Sequence, residues 1–344
     1  MCKECLPKQI YSLRPSAFTF VLVISAIVFL SYQGANAESA QDCFYKDKQG
    51  VIKVSDGIDK IPAEYRASAQ CTKAKTTESV RPNQIQLEGN TRSVDMASPL
   101  GRIELRWPRT LEKIFSRTPE RAVADAARTA SRALKSGGFP THLTTLDMSW
   151  RIVFLDQNLP ETQIPAQVVS NCHPGWMYPP ADIFIVAQRV AAGCVAGDAV
   201  SPEKADSALT RVLLHEMGHA IEFALMKGEG AHDPLRAEGF ASWFEGFSAH
   251  YSSLVDDQVV LDEYRALGLS ALEQGNRGFS FSGSPTDYGL GALYFRLLQQ
   301  KRGVAGIVSL YQKRLNQGAG LVQSLHDDFA WGDERWIKEI RDLR

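Results

Sequence analysis

The chain has 344 residues, 44% of them hydrophobic, enough for one or two packed cores and too apolar for a disordered chain. Its 38 basic and 39 acidic residues nearly cancel. That balance gives no support for a nucleic-acid partner, whose affinity rests mainly on neutralising phosphates, and the composition excludes collagen-like and low-complexity classes.

The N-terminus reads as a targeting segment. Lys3, Lys8 and Arg14 precede an apolar run from Phe18 to Leu30, and Ala35-Asn36-Ala37 follows. These features predict a secretory signal over residues 1–37, cut after Ala37, and a periplasmic or secreted mature chain. The apolar run is short of the ~20 residues of a membrane span. No span is therefore expected after cleavage, with an uncleaved signal anchor as the alternative. Cleavage leaves Cys43, Cys71, Cys172 and Cys194. Of the three possible connectivities, proximity favours Cys43–Cys71 and Cys172–Cys194, each worth roughly 3–4 kcal/mol in the chain-entropy model.

Residues 38–75 form a small module. Phe44-Tyr45, Lys48-Gln49-Gly50 and Val51-Ile52-Lys53-Val54 predict a β-hairpin turning at Gly50, which a disulfide would staple. Its aromatic-Lys…Gly-Val-Ile…Ser-Asp pattern resembles the short N-terminal modules of Gram-negative envelope proteins. That likeness implies an envelope location, with residues 38–75 as a contact to an envelope component. Residues 76–99, rich in Lys, Thr, Ser, Asn and Glu, read as a linker, and residues 100–344 as one large domain. In that domain Thr118-Pro119-Glu120 opens a helix that runs to Gly137-Gly138. Trp150–Leu155 and Asp182–Ala187 are apolar runs of strand length. Beyond Ser201-Pro202-Glu203 the chain reads as helical almost to its end. The expected fold is α+β, a small mixed sheet packed on a mostly helical domain.

The chemistry lies on the helix that Ser201 caps and Gly228 stops. It carries His215-Glu216-Met217-Gly218-His219. Residues four apart share a helical face, so both imidazoles can reach one Zn²⁺, with Glu216 beside them to work on a metal-bound water. Such a motif arises by chance in a chain this long at roughly one in a hundred. The bland alternative is a polar patch on a long helix. Val212-Leu213-Leu214 before the motif and Ala220-Ile221 with Phe223-Ala224-Leu225 after it argue otherwise. A helix apolar all round is buried, and buried His and Glu need partners.

A catalytic zinc takes a third protein ligand and keeps one position open. Leu225 stands where a metzincin's third His would fall, which excludes that branch. Asp233-Pro234 starts another helix, and Glu238 lies one turn into it. An antiparallel helix pair would bring Glu238 over the two histidines, with His232 and Asp233 as competing ligands.

His-Glu-x-x-His, eighteen residues, then Glu resembles the gluzincin metallopeptidases, and the spacing resembles their aminopeptidase branch. Glu238-Gly-Phe-Ala-Ser-Trp-Phe-Glu245 is similar to that branch's third-ligand helix. The resemblance implies a zincin-like catalytic domain, one Zn²⁺ held by His215, His219 and Glu238, and Glu216 as general base. It also implies Glu245, seven residues past Glu238, as the carboxylate behind a ligand histidine. Ser284-Pro285-Thr286-Asp287 predicts a capping box before another helix, with Gly289 and Gly291 allowing close backbone approach. Tyr288-Gly-Leu-Gly-Ala resembles the family's Tyr-x-Lys-Gly-Ala segment, which implies Tyr288 as oxyanion donor, although Leu290 replaces the Lys.

The family's Gly-x-Met-Glu-Asn segment, whose Glu grips a substrate amine, has no counterpart in Pro180–Gln188. Asp182 there reads as a structural acid, and its strand is a candidate for pairing with an extended peptide. The expectation is therefore an exported zinc metallopeptidase acting on polypeptides, cleaving internal bonds in preference to releasing N-terminal residues. The alternative is a non-catalytic envelope-binding protein with a structural or degenerate zinc site, closed by a fourth ligand such as His232.

Overall fold

The computed structural model describes residues 90–156, 174–192, 201–227 and 233–343, with short pieces of the N-terminal module at 43–46, 52–55, 66 and 70–71. The predicted signal segment, Cys172, Cys194 and His232 lie outside the described residues. In the module, β1 (Cys43–Lys46) pairs antiparallel with β2 (Ile52–Ser55), as the hairpin pattern predicts, and with β3 (Gln70–Cys71). Cys43 faces Cys71 in backbone register. The side chains of both fall outside the described part, and so do both predicted disulfides.

The second sheet has five strands in the order β4-β5-β6-β8-β7. Strands β4 (Thr91–Ser98) and β5 (Gly101–Pro108) are an antiparallel hairpin, β5 runs parallel to β6 (Met148–Leu155), and β6 runs parallel to β8 (Asp182–Val186). Strand β7 (Gly175–Tyr178) then returns antiparallel against β8. Two expectations are corrected here. Thr91–Ser98 is sheet and not linker: Val94 and Met96 are half-buried on one face while Ser93, Asp95 and Ala97 on the other face water, as on a one-sided end strand. The strand at Asp182 stops at Val186, and Ala187 opens α3 (Ala187–Ala192).

One face of the sheet buries Ile103, Leu105, Trp107, Ile152 and Ile183 against the helical part. The parallel β5–β6 connection is carried by α1 (Pro119–Ser136), whose Thr118 cap accepts from the Arg121 N–H, and by α2 (Thr141–Thr144). Among the described residues, five further helices follow the sheet, α4 (Pro202–Leu225), α5 (Pro234–Ala249), α6 (Asp257–Glu273), α7 (Pro285–Lys313) and α8 (Leu321–Phe329), with α9 (Asp333–Arg341) last. Helix α7 is broken at Gly303, whose φ of 66° suits a residue without Cβ.

Two glycine pairs set how close these helices come. A Cβ built at Gly239 on α5 would lie 2.7 Å from Gly291 Cα on α7, and one at Gly289 on α7 would lie 2.5 Å from the Gly268 N on α6. Backbones therefore touch without side chains between them, as the Gly289/Gly291 spacing predicts. The capping box at Ser284 does not form. Asp287 reaches past it, accepting from the N–H and hydroxyl of Ser282 at 2.7 Å each and from Asn276 Nδ2 at 2.6 Å. Its carboxylate ties down the loop before α7 instead of closing the helix end.

Candidate metal centre

Helix α4 brings the motif into the interior. Ser201 caps it by accepting from the Lys204 N–H, Pro202 fills its first position, and every residue from Val212 to Glu222 is buried. After the connection, Asp233 caps α5 by accepting from the Arg236 N–H at 3.1 Å, as the Asp-Pro pair predicts. The other Asp233 oxygen accepts from the Leu321 N–H at 2.7 Å, which anchors the start of α5 to α8. Below the motif, Arg236 Nε donates to Glu222 Oε1 at 2.8 Å, and Tyr311 donates to the same oxygen at 2.5 Å. This buried network fixes α5 and α7 against α4 where Glu238 begins.

The result is a convergence of three donors. His215 Nε2 and His219 Nε2 lie 3.1 Å apart, Glu238 Oε2 is 3.3 Å from the first, and it is 3.6 Å from the second. Zinc bonds of about 2.0–2.1 Å at tetrahedral angles require donors ~3.3 Å apart. The three atoms thus already stand at the spacing of one face of a zinc tetrahedron. Among the described residues, this is the one group of three or more His, Cys, Asp or Glu side chains able to hold a metal ion. Bringing two imidazoles and a carboxylate together where the exposed fraction is 5% or less has no hydrophobic rationale. The donor set, two nitrogens and one oxygen, suits zinc.

The metal-free electrostatics carry the same information. Burial opposes a charge on His215, but hydrogen bonds to Glu238 and Glu245 and the charges of Glu216 and Glu238 outweigh it, lifting its pKa to about 10. Burial likewise opposes the Glu238 carboxylate, and the two histidines more than compensate, holding it below the usual carboxylate range.

Behind His215, Glu245 Oε2 lies 3.5 Å from Nδ1, on the side away from the donor triangle. Glu245 is buried, and its Oε1 accepts from Arg211 Nε at 2.6 Å. Burial raises the Glu245 pKa, but the Arg211 charge and contacts to His215 and Tyr264 bring it to about 2. Tyr288, from the first turn of α7, stacks on His215 with ring centroids 6.3 Å apart and 27° between planes. Burial and the Glu238 and Glu216 carboxylates push its hydroxyl well above the usual phenol range, and the O–H donates to Glu238. Tyr294 is core: its hydroxyl donates to the Arg277 carbonyl at 2.8 Å. Asp182 is structural, paired with Arg151 at 2.6 Å across β6 and β8.

One participant escaped the sequence reading. Strand β8 has β6 on one side and β7 on the other, so it has no open edge for a peptide. Among the described residues the end strand beside α4 is β7. A Cβ at Gly175 would lie 3.2 Å from Glu216 Oε1 and 2.8 Å from Val212 Cγ1, so this glycine makes room for the Glu216 carboxylate.

Fold and site together define a buried His-Glu-x-x-His…Glu centre on paired helices beside a small mixed sheet. No family model matches the chain, and no curated protein matches it. Solved structures do match. The M1 zinc metallopeptidase from Deinococcus radiodurans is similar with a TM-score of 0.38 at 13% identity, over 73% of this chain and 50% of that one. A mutant of the same enzyme gives 0.41 at 12% identity over 89% and 62%, and the aminopeptidase N family protein from Idiomarina loihiensis gives 0.41 at 11% over 73% and 46%. The chain spans between about half and three fifths of the length of these structures. So remote a likeness fixes no activity.

Proposed function

We propose that this chain is an exported zinc-dependent peptidase, with His215, His219 and Glu238 holding the metal. The observation that carries the reading is the convergence of three buried donors at 3.1 to 3.6 Å with Glu216 on the same helix. Held by His215, His219 and Glu238, a zinc ion would supply Lewis acidity for a bound water and for the scissile carbonyl. Glu216 takes the proton of the attacking water and passes it to the amine as the carbon–nitrogen bond breaks. Gly175 leaves that carboxylate room to move between the two tasks. Tyr288, neutral at all working pH values, turns its hydroxyl from Glu238 to the developing oxyanion.

The lack of an amine-gripping Glu in Pro180–Gln188 supports cleavage of internal bonds. Export rests on residues 1–37, and an envelope contact on residues 38–75. Among the described residues, no helix is long and apolar enough to cross a membrane.

The test is hydrolysis of paired peptides, identical but for a free or acetylated N-terminus, before and after chelation and zinc return. Equal, zinc-dependent cleavage of both supports an endopeptidase. Cleavage of free N-termini alone would make the enzyme an aminopeptidase, and zinc-bound protein that cuts neither would favour the binding-protein alternative.

A further inference from the structure

Arg211 stands one turn before His215 on α4, with its guanidinium spread between two other helices. Nε donates to Glu245 Oε1 on α5 at 2.6 Å, and Nη1 donates to Glu263 Oε2 on α6 at 2.8 Å. The second Glu245 oxygen accepts from the Tyr264 hydroxyl at 2.5 Å and is the atom that lies 3.5 Å from His215 Nδ1. The Arg211 side chain is 18% exposed and that of Glu245 only 4%, so bulk water does not offer an equivalent set of partners.

We propose that Arg211 and Tyr264 are positioning residues for the metal, acting through Glu245 on His215. The inference rests on the zinc-site reading above and extends it to two residues outside the metal-binding motif. Terminal carboxylate and imidazole torsions are broad, so a Glu–His contact alone leaves both groups free to rotate. Here a donor from α4 holds one carboxylate oxygen and a donor from α6 holds the other. The plane of Glu245 is thereby set, and Oε2 is the atom presented to Nδ1. That contact fixes the imidazole so that Nε2 faces the donor triangle. Arg211 suits the task because a planar fork serves two carboxylates at once, which a lysine's single ammonium does less well.

A clamp that merely joined three helices would change the melting temperature and leave zinc affinity alone. The test therefore measures zinc dissociation constants by chelator competition on the full-length protein, with melts of the metal-free forms. The variants are R211A, Y264F, E245A and R211A/E245A. E245A and R211A should each weaken zinc binding by ~10–100-fold, and Y264F by about tenfold. R211A should add less than about threefold in the E245A background, because its influence passes through that carboxylate. Wild-type affinity in folded R211A and Y264F would overturn the proposal, and so would full additivity of R211A with E245A. If R211A does not fold, Y264F decides, since it removes one hydroxyl and no bulk. Affinity is read without turnover, so wild type that binds zinc but cuts no peptide sinks the peptidase reading alone.

Discussion

The contact between Gly239 and Gly291 gives a demanding test, because it links helix packing to a metal ligand one residue away. An alanine methyl at position 239 would sit 2.7 Å from Gly291 Cα and C. Carbon atoms rest about 3.5–4.0 Å apart, so α5 and α7 must separate by roughly 1 Å. Overpacking of this kind costs about 1–3 kcal/mol, and a domain of this size loses ~2–4 °C of Tm per kcal/mol. Metal–ligand distances tolerate only ~0.2 Å. Moving Glu238 by even half of the helix separation breaks the donor triangle. Gly239→Ala should therefore melt several degrees lower and bind zinc at least about tenfold more weakly, by chelator competition. Gly332→Ala is the control, since its Cβ meets nothing within 4 Å and its φ is −78°. A Gly239→Ala protein with wild-type melting and zinc affinity would refute the argument that this contact sets the position of Glu238.

Glu216→Gln should retain zinc and lose ~10²–10⁴ in kcat, whereas His219→Ala should lose both metal and activity. Metal analysis beside a peptide assay separates the two. Tyr288→Phe should lower kcat by ~10²–10³ with zinc content and KM little changed; a normal kcat would remove Tyr288 from the chemistry. Stability of the metal-free protein should also depend on pH through Glu245, whose carboxyl is held at about 2 when folded against an ordinary value of 4.5. Its contribution is complete above about pH 4.5 and is lost as pH falls towards 2. Acid titration followed by circular dichroism should show this limb, and Glu245→Gln should flatten it.

Local chemistry was legible in the sequence. Ser201, Thr118 and Asp233 cap their helices because a short polar side chain before a Pro satisfies orphan N–H groups in any fold. His215 and His219 converge because four residues make about one turn, and Glu238 follows because a short connection between helices forces them antiparallel. Strand Thr91–Ser98 carries little sequence signal, because only Val94 and Met96 mark its inward face among polar neighbours. Alternation in β5, with Ile103, Leu105 and Trp107 buried, is a strand signal that the sequence itself carries. Strand β7 is only four residues long, too short for a periodicity, and its value comes from lying beside Glu216. Arg211, Glu263 and Tyr264 join Glu245 across three helices. No spacing rule reports such contacts, because they depend on how the helices pack.

Cleavage of a mixed peptide library by wild type and Glu216→Gln, with equal zinc in both, tests the central claim most directly. Cuts made by wild type and absent from the variant are the predicted result. Equal cutting by both proteins, or none by either, would contradict the assignment of this centre as a peptidase that works through Glu216.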